Sequence, residues 1–330
     1  MGKRLLALFT ALFGMLLFSS CHGTEPAVGG ADHGLFMKET EVDGRSRRYA
    51  LYIPQNLGTR TVPLVFSLHG GGVYIEDMTG QSGHKSPHKL WMEIAEREKI
   101  VVVYPEGLNG AYGKPTWNDC RGDATVNSGA DDLKFLTTLI DEVAQKYPVE
   151  RKRVYASGIS NGGFMALRLG VEAPEKFAAV AAIAAAMPAV SKCRPPQVPI
   201  SVLFMNGTAD KFMPYGGGTI SNPPKPEHGT ALSTEESVQI FTTLDAAAAQ
   251  PEVYRFADLD PNDGGRVTRY RYLGGIDGTE VVLYKVEGGG HSAPSIKERY
   301  SAIYEYYFGK QNHDIEAVEE IWSFFKRHSR

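Results

Sequence analysis

A chain of 330 residues with 35 Lys and Arg against 38 Asp and Glu has a formal net charge of -3, which leaves no basic footprint and makes nucleic acid an unsuitable partner. Hydrophobic residues are 42% and charged residues 22%, an ordinary composition for a soluble globular protein. Thirty-six glycines and 19 prolines point to many tight loops and away from a helix bundle.

The first residues read as an export signal. Lys3 and Arg4 precede "LLALFTALFGMLLF", an apolar run of 14 residues, short of the ~20 needed to span a bilayer. Residues 1–20 are therefore expected to be a signal peptide. The closing "LFSSC" is similar to a bacterial lipobox, which makes Cys21 the expected lipidation site and the outer membrane the expected anchor. Plain cleavage and secretion is the alternative. Residues 21–35 are mostly small and polar and read as a flexible tether. Residues 36–330 show no linker-like break and no repeat, and read as one domain. Setting Cys21 aside leaves an even pair, Cys120 and Cys193, in an oxidising compartment. A disulfide between them closes a loop of about 74 residues, worth about 4 kcal/mol in the chain-entropy model; two buried thiols are the other reading.

Along the folded part, "RRYALYIP" alternates like an amphipathic strand, while "VPLVFSLHG" and "KIVVVYPEG" are continuous β-branched runs of the kind buried on both faces. Between these two, "HKLWMEIAEREK" has apolar residues at Leu90, Ile94 and Ala95 and reads as a helix. "DDLKFLTTLIDEVAQKY" is a second helix, opened by Asp131 and Asp132, whose charges suit its positive end. Then come the strand "RVYASGI", the helix "NGGFMALRLGVEAP", and the strands "FAAVAAIAAAMP" and "PISVLFMNGTAD". Ser233 and Glu236 open the helix "STEESVQIFTTLDAAA" in capping-box spacing. The strand "TEVVLYKVEGGGH" and the helix "HDIEAVEEIWSFFKRH" close the chain. Strands alternating with helices predict an α/β fold, a mostly parallel sheet covered on both faces.

In such a sheet, function gathers at the carboxyl ends of strands. Ser160, Asp210 and His291 each follow a predicted strand directly, whereas His228, His313 and His328 do not. Gly158 and Gly162 flank Ser160, as a sharp strand-to-helix turn requires. The N–H of Asn161, at the start of the next helix, points to where an oxyanion would form. "HGGG", His69 to Gly72, supplies glycines whose backbone can approach the same oxygen. The set fits nucleophile Ser160, base His291 and orienting Asp210.

The ordered motifs "LHGGG", "VVVYPEG", "WNDC", "RVYASGISNGGFMALRL", "GTAD", "PYGGG", "GGGH" and "EEIWSFFKRH" resemble the α/β-hydrolase esterases that include polyhydroxybutyrate depolymerases and feruloyl and acetylxylan esterases. The likeness runs from about Val42 to His328 and implies an α/β-hydrolase fold and a serine esterase. By analogy with that family's loop, Gly71 joins Asn161 in the oxyanion hole. Two segments are longer than usual in the family: "SAPSIKERYSAIYEYYFGKQNHD" after His291, and "VYRFADLDPNDGGRVTRYRYLGGIDG".

Trp117 and His69 are the further candidates for substrate contact. Trp117 fits a pocket wall or a core cap, and His69 also fits a structural hydrogen bonder at a strand end. The tyrosines of "RYSAIYEYYFG" are read as core or lid packing ahead of an aromatic binding surface. No cluster has metal-ligand spacing, so no metal or cofactor is expected. The expected substrate is a small ester or oligosaccharide ester from plant polysaccharide, feruloyl or acetyl in type. No separate adsorption module for solid polyester is expected after the closing helix, which ranks hydroxybutyrate esters second. A catalytically inactive polysaccharide-binding lipoprotein is the reading from another class.

Overall fold

The computed structural model describes residues 33–221 and 225–330, so the expected signal peptide and Cys21 lie outside the described residues. Strands β1 (Gly34–Val42) and β2 (Arg45–Ile53) pair antiparallel across Asp43 and Gly44. Both turn residues have positive φ, 52° and 69°, the combination a two-residue primed turn needs. Gly34 and Leu35 pair with Ile53 and Tyr52, so the expected tether runs two residues too far. A neighbouring strand edge, not local composition, recruits them into the sheet.

β3 (Val62–Leu68) and β4 (Val101–Pro105) are wholly buried. Between them lie a short helix α1 (Ile75–Met78), a 3-10 turn over Pro87–Leu90 and α2 (Trp91–Glu98). Next come α3 (Asp132–Lys146), β5 (Val149–Ile159), α4 (Asn161–Glu172), β6 (Ala179–Ile183) and β7 (Ser201–Gly207). A two-residue ribbon, β8 (Gly218–Thr219) with β9 (Thr230–Ala231), precedes α5 (Thr234–Leu244). The Ser233–Glu236 capping box forms there, with Ser233 Oγ accepting from Glu236 N at 3.1 Å. The chain finishes with β10 (Glu252–Arg255), β11 (Arg266–Tyr272), β12 (Val281–Glu287), α6 (Ala302–Phe308) and α7 (Ala317–Phe325).

The large sheet runs β1-β2-β4-β3-β5-β6-β7-β12-β11-β10. Its six central strands, β4 to β12, are parallel. Antiparallel pairs extend both flanks. Alternate side chains enter two cores. Leu64, Phe66, Val154 and Phe204 pack in one with α3, α4 and α5, and Val65, Tyr155 and Met205 in the other with α2 and α7. There the ring of Phe325 stacks 4.8 Å from Tyr155, and burying a side chain of that size is worth about 2–3 kcal/mol. Among the described residues, no helix is long and apolar enough to cross a membrane.

Asp131 caps α3, its side chain accepting from Lys134 N at 3.0 Å. Its neighbour Asp132 turns inward instead. It is fully buried, pairs with buried Arg47 at 2.5 Å and accepts from Asn118 N at 2.6 Å. A buried carboxylate with a guanidinium and a backbone donor is satisfied without any metal. It also ties the loop before α3 to the sheet.

Candidate active site

β5 ends where α4 begins, and Ser160 occupies the junction with φ 55° and ψ -124°. A non-glycine residue there carries local strain. Two hydrogen bonds hold it, and small neighbours make room for it. Ser160 N–H donates to Ile183 O at 2.8 Å, Phe164 N–H donates to Ser160 O at 3.0 Å, and the flanking glycines permit close backbone approach. A Cβ on Gly158 would strike the carbonyl of Gly162, and one on Gly162 would strike those of His69 and Leu68.

β7 and β12 are parallel neighbours with Val286 opposite Gly207, so residues just beyond their ends meet although they are distant in sequence. His291 Nδ1 lies 2.7 Å from Asp210 Oδ2. The other carboxylate oxygen accepts the N–H groups of Phe212 at 2.7 Å and Met213 at 2.8 Å. Asp210 is thereby fixed in orientation, and the Asp210 contact holds the imidazole with Nε2 free for chemistry.

The backbone of His291 is clamped by the insertion that follows it. His291 N–H donates to Phe308 O at 2.7 Å, and Tyr304 Oη donates to His291 O at 2.9 Å. Four rings continue from this clamp. Tyr300 stacks on Tyr304 at 4.1 Å, Tyr304 on Phe308 at 4.5 Å and Phe308 on Phe212 at 4.9 Å. The ring of Phe212 is 5.5 Å from that of His291. Sequence reading placed these tyrosines in lid or core packing. The inner ones do pack, but they also form a wall of the site, while Ile303, Tyr306 and Tyr307 on the same helix are exposed.

A cavity of about 800 Å³ brings together Ser160, His291, Gly71 and Asn161, with Tyr300, Tyr304, Phe308 and Phe212 along one side. Gly71 and Asn161 face each other closely, since a Cβ on Gly71 would sit 3.8 Å from that of Asn161. The side chain of Asn161 is committed elsewhere. Its Oδ1 accepts from Trp117 N at 2.6 Å, and its Nδ2 donates to Trp117 O at 3.0 Å and to Asp119 Oδ2 at 2.7 Å. Only its main chain remains for the cavity.

Trp117 and His69 do not contact the cavity, which corrects the expectation of substrate contact for both. Each is fully buried, and their rings lie 4.7 Å apart. Trp117 Nε1 donates to His69 O at 2.9 Å. His69 Nδ1 sits 2.7 Å from Gly70 O, and Nε2 accepts from Gly107 N at 2.9 Å, which fixes the neutral tautomer with the proton on Nδ1. Burial lowers its pKa to about 4. Together they brace the glycine loop: the ring nitrogens of His69 and the indole N–H are all spent on backbone, so neither residue has a polar atom left for a substrate.

Sequence reasoning passed over Asp119 and Arg121, although both follow directly from "WNDCRGD". Arg121 pairs with buried Asp119 at 2.6 Å, lies 4.2 Å over the Phe164 ring and lines the cavity. Next to this pair, Cys120 and Cys193 form a disulfide with Cα atoms 5.2 Å apart. One group of possible metal donors occurs among the described residues, Cys120, Cys193 and Glu172, and its two sulfurs are already bonded to each other.

A doubly wound parallel sheet with a serine on a strained strand-to-helix turn defines an α/β-hydrolase. A family model described as "Putative esterase" matches residues 40–230. The chain is 32% identical over 277 residues to "Putative esterase NocK" of Nocardia uniformis subsp. tsuyamanensis, covering 80% of this chain and 75% of that one. It is 24% identical over 293 residues to "Feruloyl esterase D" of Neurospora crassa, covering 87% and 84%. It is 26% identical over 251 residues to "Poly(3-hydroxyalkanoate) depolymerase C" of Paucimonas lemoignei, covering 70% and 55%. The solved "Acetyl xylan esterase from Aspergillus awamori" superposes with a TM-score of 0.51 at 16% identity, over 79% of this chain and 95% of that one, a likeness of fold. This chain belongs to the esterase family and is a carboxylic ester hydrolase.

Proposed function

We propose that the protein is a serine carboxylesterase acting on esters of plant polysaccharide fragments, with aromatic acyl groups of the feruloyl type ahead of acetyl. The observation that carries this reading is the shared cavity: strained Ser160 and the Asp210-held His291 open into one space with an aromatic wall. Ser160 Oγ attacks the ester carbonyl while His291 Nε2 takes its proton. The tetrahedral oxygen is held by the N–H groups of Gly71 and Asn161. His291 returns the proton to the departing alcohol, and water, activated by the same imidazole, releases the acid. Acetyl occupies little of about 800 Å³, whereas a phenyl ring matches stacked aromatic side chains. The feruloyl esterase among the similar proteins supports the same substrate class.

The test is turnover of p-nitrophenyl acetate and methyl ferulate by wild type and Ser160→Ala, with fluorophosphonate labelling. We expect labelling of wild type alone and a loss of at least ~10³-fold in the variant. Retention of more than a tenth of the activity by Ser160→Ala overturns the assignment.

One observation favours a second reading. Ile303, Tyr306 and Tyr307 project from α6 beside the cavity wall, a small apolar face suited to resting on hydroxybutyrate polyester. Higher kcat/KM for hydroxybutyrate oligomers than for methyl ferulate would select it. We further propose export, with Cys21 as lipid anchor to the outer membrane. Absence of label from a palmitate analogue on Cys21 sinks that part.

A further inference from the structure

The aromatic column accounts for the acyl half of an ester and leaves open what meets the alcohol half. The turn between Asn109 and Pro115 borders the same cavity through Tyr112 and Lys114. Its base is joined to the glycine loop, since Gly72 N–H donates to Pro115 O at 2.8 Å. A Cβ on Gly72 would lie 3.9 Å from that of Lys114. A group resting on this turn is therefore only a few residues away from the oxyanion loop.

Tyr112 is 60% exposed. A single exposed ring on a protein surface means little by itself. Three observations distinguish this one. The ring is tethered at its far end, Tyr112 Oη donating to Glu227 Oε1 at 3.0 Å. The turn beneath it is fixed as well: Gly110 N–H donates to Lys114 O at 2.9 Å, Ala111 N–H donates to Val126 O at 3.0 Å, and a Cβ on Gly110 would strike Val126 O. Its surroundings are polar, with exposed Lys114 two residues on and the His228 ring 6.2 Å away, both on the cavity lining. Tyr304 in the column has the contrasting setting, stacked between Tyr300 and Phe308.

We propose that Tyr112 is the platform of a sugar subsite, stacking on the sugar ring that carries the ester while Lys114 and His228 meet hydroxyls at its edge. The inference rests on the polysaccharide-ester reading above and adds the group that holds the sugar. A sugar ring has an apolar C–H face and a rim of hydroxyls that both donate and accept. An accessible phenol ring bordered by an ammonium and an imidazole complements both features. A ring already held in place also loses little freedom when the sugar arrives.

The test uses the full chain and two esters that share an acyl group, feruloylated arabinoxylotriose and methyl ferulate. Their kcat/KM ratio isolates the alcohol half and is internal to each protein, so partial loss of active enzyme leaves it readable. We expect a ratio of about 10 for wild type, about 1 for Tyr112→Ala, and most of the wild-type ratio for Tyr112→Phe, which keeps the ring. Saturation-transfer NMR with unesterified arabinoxylotriose reads the subsite without catalysis, and Tyr112→Ala should weaken that signal about fivefold or more. Sugar binding that depends on Tyr112 in a protein that does not turn over methyl ferulate defeats the feruloyl reading and upholds the subsite. A wild-type ratio near 1, a wild-type ratio retained by Tyr112→Ala, or a Tyr112→Phe variant as impaired as Tyr112→Ala overturns the proposal. So does the absence of both turnover and sugar binding in wild type.

Discussion

Asp210 places one carboxylate oxygen 2.7 Å from His291 Nδ1 and gives the other to the N–H groups of Phe212 and Met213. The carboxylate cannot rotate without breaking two backbone hydrogen bonds, so it dictates which imidazole nitrogen carries the proton. Asp210→Asn keeps the shape but presents an amide. We expect kcat for p-nitrophenyl acetate to fall by ~10⁴ with little change in Tm. A fall below tenfold would remove Asp210 from the proposed role.

The two glycines around Ser160 and the one facing Asn161 make different demands. A Cβ on Gly162 meets Leu68 O at 2.5 Å as well as His69 O, both main-chain atoms that cannot swing aside. Gly162→Ala should cost about 3 kcal/mol or yield insoluble protein. Gly71→Ala, whose Cβ meets only Asn161 Cβ at 3.8 Å, should shift Tm by about 2 °C or less. Thermal melts of both variants check the contrast, and equal destabilisation would contradict it.

The Cys120–Cys193 bridge fastens the loop whose Asp119 grips the Asn161 side chain. The cysteines are 73 positions apart, and the chain-entropy model gives about 4 kcal/mol for a loop of that length. Guanidinium unfolding of the Cys120→Ser/Cys193→Ser double variant should show a loss of about that size. Activity should fall at denaturant concentrations below the unfolding midpoint, because the loop loosens before the sheet does. Superimposed activity and unfolding curves would speak against this order.

His88, buried in the 3-10 turn before α2, carries a pH signature. Its pKa is about 4 in the folded protein, against about 6.5 in an unfolded chain. Above pH 6.5 both states are neutral there and nothing is lost. Below it the unfolded chain binds a proton that the folded one refuses, so stability drains as pH falls from 6.5 to 4 and the loss levels off beneath 4. The difference is worth about 3 kcal/mol. His88→Phe lacks it, so wild type should lose about 3 kcal/mol relative to the variant between pH 7.5 and pH 4 in urea titrations. Asp245, raised by burial to about 6, titrates in this window with the opposite sign, but it is common to both proteins and cancels. Parallel stability curves would refute the shift.

The sequence by itself determined the central strands, the helices between them and the three residues at strand ends, because buried parallel strands are continuous β-branched runs and helices show their 3.6-residue period. Gly158, Ser160 and Gly162 were legible for the same local reason: a tight turn demands small residues within a few positions. The β1–β2 hairpin was also within reach, since "VDGR" carries the Asp-Gly pair that primed turns favour. What only the tertiary structure decided was the direction in which side chains face across long separations. Trp117 and His69 occupy promising motifs yet are fully buried, Asp132 turns from a helix cap into a buried partner of Arg47, and the segment after His291 folds back to hold that histidine's main chain. Each of these outcomes depends on which elements the sheet order sets side by side, and local periodicity carries no information about neighbours that lie tens to hundreds of residues away.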